Sequence, residues 1–184
     1  MDTKPATPQR PQLVTSLWFN GQAEEAARFY VDAFAGYRPD SRVEAVHRTD
    51  IDVAPDGNEV VLHRGEVLTV DFTLDGQRFT ALNGGGEVPY TDAVSVEVRC
   101  ANQQEVDHFA AALSAGGGRE VACGWVTDRY GMRWQVVPEV VYEVMAGEDR
   151  EASARLQSAL MGMNRLNIEV LMDAAKDAHG AEEE

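Results

Sequence analysis

The feature that most constrains this chain is that its pattern of elements runs twice. Leu13 to Phe19 reads as a strand, and "GQAEEAARFYVDAFAG" places Ala26, Phe29, Tyr30, Ala33 and Phe34 at helical spacing before Gly36 stops the helix. Three strands follow: Arg42 to Arg48, "EVLTVDFTL" with Leu68, Val70, Phe72 and Leu74 alternating, and "QRFTALN" after an Asp75-Gly76 hairpin turn. The order then starts again. "AVSVEVR" is a strand, "NQQEVDHFAAALSAG" a helix closed by Gly116, and "REVACGWV" and "MRWQVV" are strands, the second entered through a tight turn at Tyr130-Gly131.

The repeat has a register. A shift of 80 places Val14 on Val94, Glu25 on Glu105, Phe29 on Phe109 and Ala35-Gly36 on Ala115-Gly116. The closing hairpins, "GQRFTAL" and "GMRWQVV", superpose at a shift of 55. Two matches in the same order point to a duplicated βαβββ unit. In the last strand Met132, Trp134 and Val136 alternate with Arg133 and Gln135, so a neutral amide stands on its less apolar face.

The 184 residues suffice for one substantial core or two small fused modules. With 31 acidic against 16 basic side chains, the formal charge of -15 repels phosphate backbones and anionic membranes, so neither nucleic acid nor membrane is an expected partner. The start "MDTKPATPQRPQ" lacks the apolar core of a signal peptide, no run reaches membrane-spanning length, and the expectation is a soluble cytoplasmic protein. Cys100 and Cys123 fall in predicted strands without metal or redox spacing, and His47, His63, His108 and His179 are dispersed as solvated or packing residues.

Two βαβββ units in tandem resemble the vicinal oxygen chelate superfamily, which includes glyoxalase I, extradiol dioxygenases and bleomycin-resistance proteins. "SLWFNGQAEEAARFYVDAF", "VLTVDFTLDGQRFTALNGG", "VSVEVRCANQQEVD" and "CGWVTDRYGMRWQVVP" resemble its PhnB-like group, often labelled 3-demethylubiquinone-9 3-methyltransferase. The resemblance implies an α+β fold in which two tandem modules form a cupped mixed sheet, followed by a C-terminal helical extension. The expected division is a disordered arm (1–12), a vicinal oxygen chelate domain (13–138, with modules 13–86 and 90–138) and a helical tail (139–184).

The methyltransferase label is disfavoured by the sequence. A Rossmann-type cofactor site needs a Gly-rich turn that leaves a parallel strand and opens a helix, whereas "NGGGE" leads toward a strand and "AGGGRE" closes a helix.

Superfamily enzymes hold a divalent metal through His or Glu side chains on four strands of the cup. Mapped by the resemblance, those positions carry Thr15, Thr80, Ser95 and Gln135, none a normal ligand for a first-row cation. One reading is a metal-free polar ring that orients a small ligand; the other is four polar residues bonded to one another and to water. The expected ligand-binding set is Thr15, Leu17, Thr80, Ser95, Trp125, Arg133 and Gln135, with Arg133 at the mouth and Trp125 as a wall for a planar ligand. No metal or cofactor is expected. Glu97 and Cys123, the latter expected on the face of Trp125, are weak catalytic candidates, as a general base and a nucleophile.

After Pro138, Val141, Val144, Met145, Leu156, Leu160, Ile168, Leu171 and Met172 form apolar stripes that must be covered. The expectation is a homodimer with the tail helices crossing the interface. Two function classes remain: a protein that binds a small, uncharged or weakly anionic organic molecule, and a metal-dependent enzyme of the glyoxalase or dioxygenase type acting as lyase, isomerase or oxidoreductase. Metal-free catalysis through Glu97 or Cys123 is a third.

Overall fold

The structure, a computed structural model, describes residues 13–55, 57 and 59–176; the expected N-terminal arm, His179 and the terminal "AEEE" lie outside the described residues. The chain divides into two compact units at Val88-Pro89.

Unit 1 contains β1 (Thr15–Phe19), α1 (Ala23–Ala35), β2 (Arg42–Arg48), β3 (Val67–Leu74) and β4 (Gln77–Asn83). Its sheet runs β1-β4-β3-β2, with β1 parallel to β4 and the other pairs antiparallel. The turn between β3 and β4 takes positive φ at Asp75 (49°) and Gly76 (79°), the twist that a two-residue hairpin needs. The alternation of β3 and β4 places Val70, Phe72, Phe79 and Ala81 under α1, where Tyr30 stacks on Phe72 with ring centroids 6.1 Å apart. The Asn83 side chain accepts from the Ala23 N–H at 3.0 Å, tying the helix start to the sheet.

Unit 2 repeats the order. β5 (Val96–Cys100), α2 (Gln103–Ser114), β6 (Arg119–Glu120), β7 (Trp125–Thr127) and β8 (Arg133–Pro138) form a sheet of order β5-β8-β7-β6, again with one parallel pair, β5 with β8. Asn102 caps α2 by accepting from the Glu105 N–H at 3.0 Å. Val98, Val126, Trp134 and Val136 face α2, where Val106, Phe109, Ala110 and Leu113 are buried. The α+β fold with two four-stranded mixed sheets and a helical extension is as expected.

The tail corrects one argument. α3 (Glu139–Ala146), α4 (Arg150–Met161) and α5 (Ile168–Ala175) close on one another and on Val137 of β8, burying Val141, Leu156, Leu166 and Leu171. Gln103 fastens the start of α5 by donating to the Leu166 carbonyl and accepting from the Ile168 N–H. The main stripes are therefore covered within the chain, and they supply no reason for a dimer. No helix among the described residues is long and apolar enough to cross a membrane.

Candidate functional site

The sheet face of unit 2 turned away from α2 carries the candidate site. Pairing fixes its membership, because cross-strand partners point the same way. Glu97, Gln135 and Trp125 form one rung across β5, β8 and β7, and Arg133, Thr127 and Arg119 form the next across β8, β7 and β6. Trp134 and Met132 anchor β8 from the opposite face, both essentially inaccessible. The turn before β8 is pinned by buried Asp128, which accepts from the N–H groups of Tyr130 and Met132 and from the Trp134 indole at 2.8 Å. That anchor holds Arg133 and Gln135 in place from below.

Gln135 donates its Nε2 to the Ser95 hydroxyl at 2.7 Å. Arg133, only 18% exposed in its side chain, pairs through Nε with Asp92 and donates to the Gly131 carbonyl at 2.5 Å. Trp125, Thr127, Arg119, Arg133, Asp92, Val121 and Ala122 line a pocket of about 350 Å³. Ser95, Gln135, Trp125 and Arg133 thus lie on one face of one unit. Arg119, which the sequence reasoning did not single out, joins them through the β6–β7 pairing.

Glu97 shares this face, and both its oxygens are engaged. Arg99 donates Nε to one at 2.8 Å, and the Tyr142 hydroxyl from α3 donates to the other at 2.5 Å. Arg99 also lies over the Tyr142 ring at 4.2 Å. Burial and then the bond to Glu97 push the Tyr142 phenol up to about 12. Glu97 serves here as the docking point for the tail, not as an open base.

Cys123 departs from expectation. "REVACGWV" is not one strand: a short 3-10 turn (Ala122–Gly124) interrupts it, with Cys123 at φ 62°. Its N–H donates to the Met163 carbonyl at 2.7 Å, and its sulfur lies 3.5 Å from the Met161 sulfur, so the tail's contact with the turn overrides strand pairing. Cys123 does not share a strand face with Trp125.

In unit 1 the expectation that Thr15, Leu17 and Thr80 share the cup face is corrected. Thr15 faces Phe79 and Leu17 faces Ala81 on the helix-packed side, whereas Thr80 partners Ser16 on the opposite side. The cause is a loop one residue longer. Thr15–Phe79 matches Val96–Trp134, so the first strands superpose at a shift of 81 (96 less 15), while the helices keep a shift of 80. One residue reverses every side chain of a strand. Thr80 donates to Asp71 at 2.8 Å, and Asp71 pairs with His47 at 3.1 Å. Burial pushes the Asp71 carboxyl up, but the Thr80 bond, the His47 bond and charge, and the Arg78 charge together outweigh it and hold it below the ordinary carboxylate value of 3.8. Asp71, His47 and Arg78 open onto a polar cleft of about 640 Å³ that also holds Arg42, itself paired with Glu44 at 2.8 Å.

Among the described residues no three His, Cys, Asp or Glu side chains cluster as metal ligands would. Gln135 and Ser95 are neutral and bonded to each other, and Glu97 is committed to Arg99 and Tyr142. This donor set does not fit a first-row cation.

The glycine run after β4 serves packing. A Cβ on Gly84 would lie 2.1 Å from the Trp18 ring, and one on Gly85 would lie 2.4 Å from Val61. The second run follows α2 and leads into β6. Neither opens a helix.

Comparison with known proteins gives a consistent picture. The family model described as 3-demethylubiquinone-9 3-methyltransferase matches residues 11–137. The chain is similar to the solved structure of a putative 3-demethylubiquinone-9 3-methyltransferase, PhnB protein, from Bacillus cereus, at 28% identity and a TM-score of 0.57, covering 70% of this chain and 99% of that one. A Pseudomonas aeruginosa protein shares the fold at 20% identity and a TM-score of 0.51, covering 70% of this chain and 98% of its own. A proline–tRNA ligase from Mycobacteroides abscessus is 32% identical over 171 residues, 89% of this chain but 27% of that protein. A second, from Bifidobacterium animalis, is 28% identical and is covered over 25% of its length, so the chain spans about a quarter of the curated relatives it matches.

Proposed function

The chain belongs to the 3-demethylubiquinone-9 3-methyltransferase family, the PhnB-like group of the vicinal oxygen chelate superfamily, and from that premise we propose that it binds a small organic molecule without a metal. The observation that carries this reading is the Gln135–Ser95 bond on the open sheet face of unit 2, beside the pocket walled by Trp125 and Arg133. An amide held by a hydroxyl keeps a free acceptor and a donor hydrogen, which suits a ligand carbonyl or hydroxyl. Trp125 gives that ligand an apolar wall, and Arg133 gives it a cation at the mouth.

The methyl transfer in the family's description is not part of this proposal, because the glycine runs here accommodate Trp18, Val61 and the exit of α2. Aminoacylation is not carried over from relatives of which the chain spans about a quarter. A homodimer remains part of the proposal on the superfamily resemblance alone.

Elemental analysis of protein purified without chelator, followed by titration with nickel, zinc, manganese and iron(II), tests the reading. No stoichiometric metal is expected. One tightly bound equivalent per chain, lost on Gln135→Ala, would overturn it in favour of a metalloenzyme.

A further inference from the structure

The rung beside Gln135 has an arrangement that a ligand of unspecified polarity does not require. Arg119, Thr127 and Arg133 are register partners across β6, β7 and β8, so two arginines flank one threonine. At about 4.8 Å between neighbouring strands, their backbones stand roughly 10 Å apart. Both arginine side chains line one pocket together with Thr127. The Arg119 side chain makes no hydrogen bond or ion pair with any described residue, and Arg133 has one carboxylate partner, Asp92, whose side chain is itself 79% exposed. In a chain of formal charge -15, this pocket holds two guanidiniums against one carboxylate. Two residues along β7, about 7 Å away, Trp125 offers its ring to the same space, and Val121 adds an apolar edge.

We propose that unit 2 recognises a planar monocarboxylate, its carboxylate held over Thr127 between Arg119 and Arg133 and its ring laid on Trp125. This rests on the small-molecule reading above and narrows it to a ligand class. A guanidinium meets a carboxylate in two parallel N–H···O bonds, which fixes the ligand's plane as well as its charge. Indole stacks best on another flat ring. The volume of about 350 Å³ admits one small ring system with its carboxylate. Asp92 competes with the ligand for Arg133 and so limits affinity.

Calorimetric titration of the full chain with benzoate and with its neutral isostere benzamide tests this. Benzoate is expected to bind one per chain and about tenfold more tightly than benzamide, the scale of one charge-assisted bond. Arg119→Met should erase the preference, Arg119→Lys should keep part of it, and Asp92→Asn should strengthen benzoate binding alone. Arg119 is exposed, so its replacement leaves folding intact. Equal binding of the two probes, both weakened by Gln135→Ala, would overturn the carboxylate assignment and leave the small-molecule reading standing. Binding of neither would also overturn the carboxylate assignment, whereas the small-molecule reading falls only to the bound metal equivalent described above.

Discussion

Gly124 joins three parts of unit 2, and its replacement by alanine should be costly for two separable reasons. Its φ is +78°, where a Cβ costs about 1 kcal/mol or more. The added Cβ would also lie 2.7 Å from the Val136 carbonyl oxygen in β8 and 3.0 Å from Leu166 Cδ1 in the tail. Neither neighbour yields easily: Val136 is held in the sheet by its pairing with Val98, and Leu166 is fully buried. Overpacking of this kind adds about 1–3 kcal/mol. Gly131 supplies the control, since its φ is +86° and its Cβ would meet nothing within 4 Å. Gly131→Ala should therefore show the backbone cost alone, about 1 kcal/mol, and Gly124→Ala about 2–4 kcal/mol. For a chain of this size those values correspond to melting shifts of about 3 °C and on the order of 10 °C. Differential scanning calorimetry on both variants decides it. Equal losses would refute the packing of the 3-10 turn between β8 and the tail.

Two predictions concern pH. Tyr142 is raised to about 12, so the stability it contributes is fully present below the ordinary phenol value of 10.0 and is lost as pH rises through 12; ultraviolet titration of the phenolate band should show a late step that Tyr142→Phe removes. Asp71 is lowered from 3.8, so its contribution is present above that value and lost as pH falls through the folded pKa; Asp71→Asn should cost stability in urea denaturation at neutral pH, with the gap to the unmodified protein closing in acid.

The duplicated pattern was legible because each module states its own period: 3.6 in the helices, 2 in the strands. β2 and β4 have the predicted limits, and Asp75-Gly76 forms the predicted hairpin turn. What failed was inference from one module to the other. Thr15 corresponds to Ser95 only at the helices' shift of 80, yet the loop after Phe19 has three residues before α1 and the loop after Cys100 has two before α2, which turns the strand over. Cys123 was misplaced because the tail contact that bends the chain there comes from Met163 and Asn164, some forty positions on. Arg119 looked like any charged residue after a glycine run; only the pairing of a two-residue strand puts it opposite Thr127. Asp128 left a faint signal, an Asp ahead of a Tyr-Gly turn, without indicating that it would bond the indole of Trp134.

The neutrality of Gln135 follows from its neighbour. Its partner on β5 is Glu97, whose carboxylate is held by Arg99 and by the Tyr142 hydroxyl of α3. A second carboxylate at position 135 would stand across adjacent strands from the first, on a face where Arg99 is already taken, and each charge would disfavour the other. The amide avoids that conflict and gains the Ser95 bond. Along this face the acidic group secures the tail at the β5 side, while the surplus of positive charge lies on the next rung, at Arg133 two residues along β8 and at Arg119 on β6. Gln135 stands between the two, so a ligand anchored by the arginines meets an amide, and not a repelling carboxylate, as it extends toward β5.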